Sequence, residues 1–331
     1  MDRSGLINQE LKDVQKTLLS KVEGCEIIGC HQNLVSIKIT KTPHRVLTVC
    51  IQFPQNYPDD ILLVEFKSKV MSPALVNHIG QICDNELKKR VGDKQVMILL
   101  KFVRKFLDDN PLLPCRDELT KVKKELLEED IDIMKMKQKQ GTISIAVCKE
   151  NYRLKFTVSV PDEYPTKSIE MTMNENNFPA VMAYYFISQA REFARQAVEP
   201  PLKKNPKAPP FQPSPHVFKV MKFLISCGKR YPVENCPLCG KQTLPNNPSE
   251  VVSDMKGDNY AERIYCGHLF HHGCLDKYMK TPPFEDGKKC PNCKQRIYHD
   301  KWNISPRLAE ARWAHKEARQ RELDEVVDFL S

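Results

Sequence analysis

The feature that most constrains this chain is a run of cysteines and histidines near its carboxyl end. Six of the 13 cysteines fall there, with three histidines among them. The candidate ligands are Cys236, Cys239, Cys266, His268, His271, Cys274, Cys290 and Cys293. Zinc takes four tetrahedral thiolate or imidazole ligands, and two cysteines separated by two residues can both reach one ion. Eight ligands therefore predict two closed, structural zinc sites, because neither ion keeps a position for catalytic water.

The other seven cysteines are scattered singly through residues 25–227. A lone cysteine in an apolar segment behaves as a small hydrophobic residue, so we expect these thiols to pack without disulfide partners. No apolar run approaches the roughly 18 residues of a membrane helix, and the first residues lack the apolar core of a signal peptide. We therefore expect an intracellular protein, cytoplasmic or nuclear, with no membrane partner.

Residues 1–230 contain an internal repeat. The segment from Phe53 to Pro58 recurs from Val160 to Pro165, each with a Tyr-Pro pair near its end. Alternating apolar residues precede both copies and indicate half-buried antiparallel strands, which end where proline removes a ladder donor. These strands are predicted at 35–39, 47–53, 143–147 and 154–160, with further extended segments at 61–66 and 169–173.

Helices surround the strands of both copies. A proline suits the first position of a helix, so helices are expected to begin at Pro73 and Pro179. Amphipathic segments at about 9–22 and 118–129 predict a helix before each strand pair. A last helix of the second copy is expected at 216–227.

This order of elements resembles two RWD domains, which are non-catalytic relatives of ubiquitin-conjugating enzymes and serve as binding modules. A catalytic alternative is Cys83, which lies near the position of the nucleophilic cysteine in the conjugating enzymes. However, the His-Pro-Asn motif of those enzymes is absent between Tyr57 and Cys83. Leu75, Ile79 and Cys83 instead share one helix face, the pattern of a buried stripe. We therefore interpret Cys83 as a core residue.

The carboxyl-terminal cluster resembles a RING finger with histidines at the fourth and fifth ligand positions. The resemblance implies a cross-brace with one ion in each of two ligand sets. The first set is Cys236, Cys239, His271 and Cys274, and the second is Cys266, His268, Cys290 and Cys293. His272 remains an alternative to His271, although the two-residue gap between His271 and Cys274 favours His271.

In RING ubiquitin ligases, a shallow apolar groove binds the conjugating enzyme. The matching residues are Leu238, Tyr278 and Pro291, and a basic residue after the last ligand, here Lys294, helps to lock the bound ubiquitin. Lysine can donate to ubiquitin through its ammonium group but lacks the planar donor fork of arginine. The segment between Cys239 and Cys266, residues 240–265, is longer than the corresponding segment usually is in the family. We predict an exposed inserted loop at 243–259, which either adapts or blocks the groove.

The net charge of +9 comes largely from residues 201–230, which contain no acidic residue. A proline-rich insertion spans 200–215 and favours extended polyproline conformations. This basic stretch carries no groove-reading motif, so a solvated linker is favoured over a nucleic-acid interface.

The predicted fold class is α+β: two RWD domains, a two-zinc cross-brace RING finger and a C-terminal helix. The predicted boundaries are 1–110, 111–232, 233–300 and 301–331. This order resembles the ligases of the Fanconi anaemia complementation group L type. It implies a RING-type ubiquitin-protein transferase without a covalent ubiquitin intermediate. Its partners are then a conjugating enzyme, ubiquitin, and a protein substrate or complex subunits bound by the RWD pair. The alternative is a non-catalytic scaffold or assembly subunit.

Overall fold

The structure, a computed structural model, describes residues 3–201, 209–285, 287–302 and 304–330. Residues 202–208 of the predicted proline-rich insertion lie outside the described residues. The chain divides into two compact units. One comprises 1–146, 155–174 and 185–225, and the other comprises 147–154, 175–184 and 226–331. The four predicted domain boundaries stay predictions.

The first copy of the repeat begins with a helix, continues as a four-stranded antiparallel sheet and closes with two helices. Its elements are α1 (Arg3–Lys21), β1 (Cys25–His31), β2 (Leu34–Thr42), β3 (Arg45–Gln52), β4 (Leu63–Lys67), α2 (Pro73–Leu87) and α3 (Val96–Asp109). The sheet order is β1-β2-β3-β4. Ile37 pairs with Val49, and both side chains are fully buried. The predicted strands at 35–39 and 47–53 and the helix start at Pro73 are thus confirmed.

The second copy has the same order of elements. They are α4 (Arg116–Glu125), β5 (Ile133–Lys137), β6 (Thr142–Lys149), β7 (Tyr152–Ser159), β8 (Glu170–Asn176), α5 (Ala180–Val198) and α6 (Val217–Arg230). The sheet order β5-β6-β7-β8 matches that of the first copy. The alternation of apolar residues did not predict β1 and β5, the first strand in each of these two sheets. A register shift between Ile27 and Gly29 breaks the period in β1, and β5 is an edge strand with mostly exposed side chains.

A buried hydrogen-bond network holds the Tyr-Pro turn of the first copy. Tyr57 donates its hydroxyl hydrogen to the carboxylate of Glu10 on α1. The same carboxylate accepts from the backbone amides of Gln95, at 3.0 Å, and Val96, at 2.9 Å. Because the first amides of a helix have no intrahelical partner, Glu10 caps α3 across the fold.

The second copy contains the same network. Tyr164 donates to Glu118 on α4, and Glu118 accepts from the backbone amide of Phe218, at 3.0 Å, in the first turn of α6. The hydroxyl of Tyr164 accepts from the amide of His216 at 2.7 Å. Two copies of one buried polar network strengthen the evidence of an internal repeat beyond the short sequence match.

The cysteine- and histidine-rich region has little regular structure. It contains β9 (Ala261–Arg263), β10 (Leu269–His271) and α7 (His272–Lys280), and α8 (Pro306–Leu330) follows it. Among its described residues, one small buried cluster consists of Cys236, Ile264, Phe270, Leu275, Cys290 and Ile297. None of the described helices has the length and apolar content of a bilayer span.

Candidate metal centre and adjacent surface

The structure brings the eight predicted ligands together in two groups of four. Cys236, Cys239, His271 and Cys274 form one group, and Cys266, His268, Cys290 and Cys293 form the other. Within each group, all ligand atoms lie within 4.8 Å of one another. Tetrahedral ligands of one zinc ion, bound at about 2.3 Å through sulfur and about 2.0 Å through nitrogen, lie roughly 3.5–3.8 Å apart. Each cluster can therefore hold a metal ion.

The first cluster is arranged around the orientation of His271. The Nδ1 atom of His271 lies 3.3 Å from the Sγ atom of Cys239. On the other side of the ring, Nε2 lies 3.1 Å from the backbone oxygen of Gln242. That carbonyl can accept only from a protonated Nε2, so Nδ1 keeps its lone pair toward the thiolates. A metal-binding histidine is normally oriented by such a second hydrogen bond.

In the second cluster, His268 also places its Nδ1 atom near the cysteine sulfurs. Its Nδ1 atom lies 3.4 Å from Sγ of Cys266 and 3.6 Å from Sγ of Cys290. Cys266 and His268 flank Gly267, whose φ of +86° turns the backbone between them. The ligands of this cluster alternate along the chain with those of the first, which is the cross-brace order implied by the RING resemblance.

His272 faces away from the first cluster. Its Nδ1 atom lies 3.2 Å from a carboxylate oxygen of Glu262. Glu262 also pairs with His299 at 2.9 Å and with Lys301 at 3.2 Å. Burial raises the pKa of Glu262, but the hydrogen bonds from His299 and Lys301 outweigh burial and leave it below its ordinary value. The geometry thus favours His271 as the ligand and gives His272 a different partner.

This Glu262 cluster was not identified from the sequence. Glu262 lies on a three-residue strand inside a polar stretch, and no motif links it to residues so distant in the chain. Trp302 extends the cluster, since its ring centroid lies 4.7 Å from that of His299. The indole Nε1 of Trp302 donates to Asp276 on α7 at 2.9 Å. The segment before α8 is therefore fastened to the zinc region.

The two Cys-x-x-Cys turns are built alike. In the first, the amide of Gly240 donates to the carbonyl of Cys236 at 2.9 Å; in the second, the amide of Lys294 donates to Cys290 at 2.8 Å. Both residues adopt a left-handed backbone, with φ of +71° at Gly240 and +62° at Lys294. Glycine adopts this conformation without a steric penalty, whereas for lysine it costs about 1 kcal/mol or more. Lys294 is thus an exposed cation held in an unfavourable backbone conformation.

The three predicted groove residues lie on the zinc region and are all partly exposed. Leu238 and Tyr278 pack against its buried core, and Pro291 lies in the second Cys-x-x-Cys turn. The Tyr278 hydroxyl donates to the backbone oxygen of Lys289 at 3.0 Å. This hydrogen bond fixes the ring orientation, so the aromatic face is presented in a defined direction.

The predicted loop at 243–259 is largely exposed, but the prediction is wrong at its start. Thr243 and Leu244 are buried, with exposures of 2% and 1%. The next carbonyl, that of Pro245, accepts from the hydroxyl of Tyr152 at 2.8 Å, and the carbonyl of Asn246 accepts from Asn151 at 3.0 Å. Because the segment is polar in composition, the sequence did not indicate that its first residues are buried and hydrogen-bonded.

Cys83 has none of the properties of a nucleophile. Its side chain is 1% exposed in the core of the first copy, and burial raises the pKa of its thiol to about 12. A nucleophilic cysteine needs an accessible thiolate with a lowered pKa. The structure therefore agrees with the interpretation of Cys83 as a packing residue.

Similarity to known proteins points to ubiquitin ligases. No protein-family model matches the chain. The chain is 29% identical over 55 residues to "E3 ubiquitin-protein ligase trul-1" of Caenorhabditis elegans, a match that covers 17% of this chain and 11% of that protein. It is 32% identical over 69 residues to "Probable E3 ubiquitin-protein ligase RHA1A" of Arabidopsis thaliana, which covers 19% of this chain and 42% of that protein.

Each match thus spans less than half of the relative's length. Both partial similarities are to E3 ubiquitin ligases. The two Cys/His clusters, each able to hold a metal ion, are consistent with the zinc sites of RING-type ligases.

Proposed function

We propose that this chain is a RING-type ubiquitin ligase. Two interleaved Cys/His clusters carry the proposal, and partial similarity to two E3 ubiquitin ligases supports it. Each bound zinc ion would join two chain segments, 236–239 with 271–274 or 266–268 with 290–293. It would supply no catalytic water, because all four ligand positions come from the protein. The reaction then depends on positioning a conjugating enzyme and its ubiquitin thioester.

The conjugating enzyme would bind across Leu238, Tyr278 and Pro291. These side chains are apolar or aromatic and partly exposed, which suits a shallow contact surface. Each zinc turn holds one of them between its paired cysteines, Leu238 in the first turn and Pro291 in the second. Tyr278 is oriented by its hydrogen bond to Lys289.

Lys294 would contact ubiquitin and hold the thioester ready for attack. It is exposed directly after the last ligand, where its ammonium group can reach a bound partner. Its left-handed backbone conformation supports a functional role, because glycine would satisfy the same turn without strain. No residue of this chain would carry ubiquitin covalently, in keeping with the buried thiol of Cys83.

The repeats at 1–230 would recruit the substrate or other complex subunits. Their order of elements and their Tyr-Pro turns support the assignment as RWD domains. Tandem RWD domains followed by a RING finger would match the arrangement in ligases of the Fanconi anaemia complementation group L type. A protein with this arrangement has one part for the conjugating enzyme and another for the substrate.

An in vitro ubiquitination assay over a panel of conjugating enzymes tests the proposal. We expect wild type to form ubiquitin chains with at least one enzyme, Leu238→Ala to reduce chain formation at least tenfold, and Lys294→Ala to reduce it severalfold. Lys256→Ala, an exposed lysine in the inserted loop, is the matched control and should retain activity. Absence of chains with every enzyme, or full activity of Leu238→Ala, would instead favour the non-catalytic scaffold.

A further inference from the structure

A cavity of about 490 Å³ lies beside the second zinc turn and the start of α8. Its walls are rich in aromatic side chains. They include Tyr265, Phe284, Tyr298 and Trp302. Volumes of about 300–1,000 Å³ are typical of pockets for small ligands or single side chains, and aromatic walls favour flat, apolar groups. The predicted groove residues Leu238, Tyr278 and Pro291 do not line it.

A buried lysine also lines this cavity. Lys288 is 7% exposed, so most of its side chain packs against its neighbours. Its Nζ atom lies 4.6 Å from the ring centroid of Tyr278 and 5.7 Å from that of Phe284. Among the described residues, no carboxylate lines the cavity and none pairs with Lys288. A buried cation without a counterion is costly, and contacts with aromatic faces offset only part of that cost.

Arg296 provides a second cation in the wall of the cavity. The guanidinium of Arg296 lies over the ring of Tyr298, 5.4 Å from its centroid. Gly287 makes room for it: a Cβ atom at Gly287 would lie 2.7 Å from Nε of Arg296. His299 also lines the cavity, but its ring nitrogen is bound to Glu262. Among the described residues, no carboxylate forms an ion pair with Lys288 or Arg296, so both cations can contact a ligand.

We propose that this cavity binds an aromatic ring that carries an anionic substituent, such as an aryl phosphate. Lys288 and Arg296 would bind the anionic group, and Trp302 and Tyr298 would pack against the ring. The ligand would supply a counterion for Lys288, which pairs with no carboxylate among the described residues, and the ligand's ring would pack against the aromatic walls. The same chemistry is found in a free small molecule and in a phosphotyrosine side chain. The inference is independent of ligase activity, because binding is measured without a conjugating enzyme.

Trp302 provides a direct reporter for this site. The chain has two tryptophans, so Trp313→Phe leaves Trp302 as the sole indole in the otherwise intact zinc-loaded chain. Its fluorescence is followed during titration with phenyl phosphate, inorganic phosphate and benzyl alcohol. We expect saturable binding of phenyl phosphate and at least tenfold weaker binding of the other two probes. No saturable binding of phenyl phosphate, or equal binding of benzyl alcohol, would overturn the proposal.

Charge-removing variants test the two cations. In the same background, Lys288→Met and Arg296→Gln should each weaken phenyl phosphate binding at least tenfold. Lys289→Met removes an exposed neighbouring charge and should bind as the parent does. Zinc content and the unfolding temperature are checked for each variant, and if Lys288→Met loses zinc, exposed Arg296 decides the test. Unchanged binding in a folded Lys288→Met, or in Arg296→Gln, contradicts the assigned anion contacts.

A short phosphotyrosine peptide distinguishes the two sources of the ligand. Binding at least as tight as that of phenyl phosphate supports a protein segment as the source. If the peptide is excluded while phenyl phosphate binds, the cavity takes a free small molecule. Both outcomes retain the anionic aromatic chemistry, which the phenyl phosphate titration tests by itself.

Discussion

Different forces stabilise the first repeat and the zinc region. The buried apolar cluster of the first repeat extends from Leu6 on α1 to Leu113 beyond α3, and includes the inner face of a four-stranded sheet. In the described part of the zinc region, the buried cluster comprises six residues, and two of them, Cys236 and Cys290, are themselves candidate ligands. A core this small buries too little apolar surface to order its loops, so the metal must supply the missing stability.

Removal of zinc should have the largest effect and should separate the two regions. Structural zinc contributes apparent binding free energies of about 10–16 kcal/mol in small zinc domains, so chelation should unfold residues 233–300. The sheets of the two repeats should retain their slow amide exchange. Hydrogen exchange measured by mass spectrometry before and after chelation checks both statements. Equal loss of protection in β2 and β3 would show that the regions are not independently stabilised.

Substitution of two adjacent histidines tests which of them is a metal ligand of the first cluster. His271→Ala removes a ligand, so we expect the chain to bind clearly less than two zinc ions and the zinc region to unfold. His272→Ala removes the contact with Glu262 and should retain both ions, with a loss of about 1–3 kcal/mol in the free energy of unfolding. Metal analysis with thermal unfolding measures both. The reverse result would make His272 the ligand.

The buried tyrosines test whether the two repeats are energetically alike. Tyr57→Phe and Tyr164→Phe each remove a hydrogen bond to a glutamate and an acceptor for a backbone amide, that of Gln95 or of His216. Each should therefore cost about 1–3 kcal/mol. Hydrogen exchange of β2–β3 and β6–β7 localises each effect to its own repeat. Tyr184→Phe is the control, since Tyr184 is 74% exposed and should change stability by less than about 0.5 kcal/mol. If one of the two tyrosine substitutions left the free energy of unfolding unchanged, the two repeats would not be energetically equivalent.

The carboxyl group of Glu10 should add a pH dependence to the first repeat. Burial raises the pKa of Glu10 above its ordinary value of 4.5, although the hydrogen bond from Tyr57 opposes this effect. The native state then holds the proton more tightly than the unfolded chain does. The stability from this group is complete below about pH 4.5. It is lost as pH rises toward the native pKa, with a limiting slope of about 1.4 kcal/mol for each pH unit.

Urea unfolding of wild type and Glu10→Gln between pH 4 and 7 isolates this contribution. The free energy of unfolding of wild type minus that of Glu10→Gln should fall as pH rises over that range, because glutamine does not titrate. A constant difference would mean that the hydrogen bonds to Glu10 cancel the effect of burial.

The smallest effect is expected in the second zinc turn. Lys294→Gly relieves the left-handed backbone strain and should stabilise the zinc region by about 0.5–1 kcal/mol. Gly240→Lys is the matched control in the first turn, where a Cβ atom would meet no neighbour within 4 Å, and should destabilise by a similar amount. Thermal unfolding measures both. If Lys294→Gly is more stable yet transfers less ubiquitin, the lysine serves function at a cost in stability. Unchanged transfer would remove Lys294 from the mechanism.

Much of the fold was predictable because its signals are local. Alternating apolar residues located β2, β3, β6 and β7, and prolines located the start of α2 and, to within one residue, that of α5. The first strand of each sheet was missed, since β1 breaks its period and β5 is too exposed to alternate. The networks of Tyr57 and Tyr164 were also missed, because the sequence marks the tyrosines but not their partners on distant helices.

The sequence by itself determined which residues are available as metal ligands, because Cys-x-x-Cys and Cys-x-His spacings place donors on single short turns. It also determined that residues 1–230 contain one pattern twice. The tertiary structure decided how the donors group and that His271 faces the thiolates while His272 faces Glu262, because those distances depend on segments far apart in the chain. It also decided that Lys288 is buried in an aromatic cavity without a described counterion, since burial is a property of packed neighbours and not of local sequence.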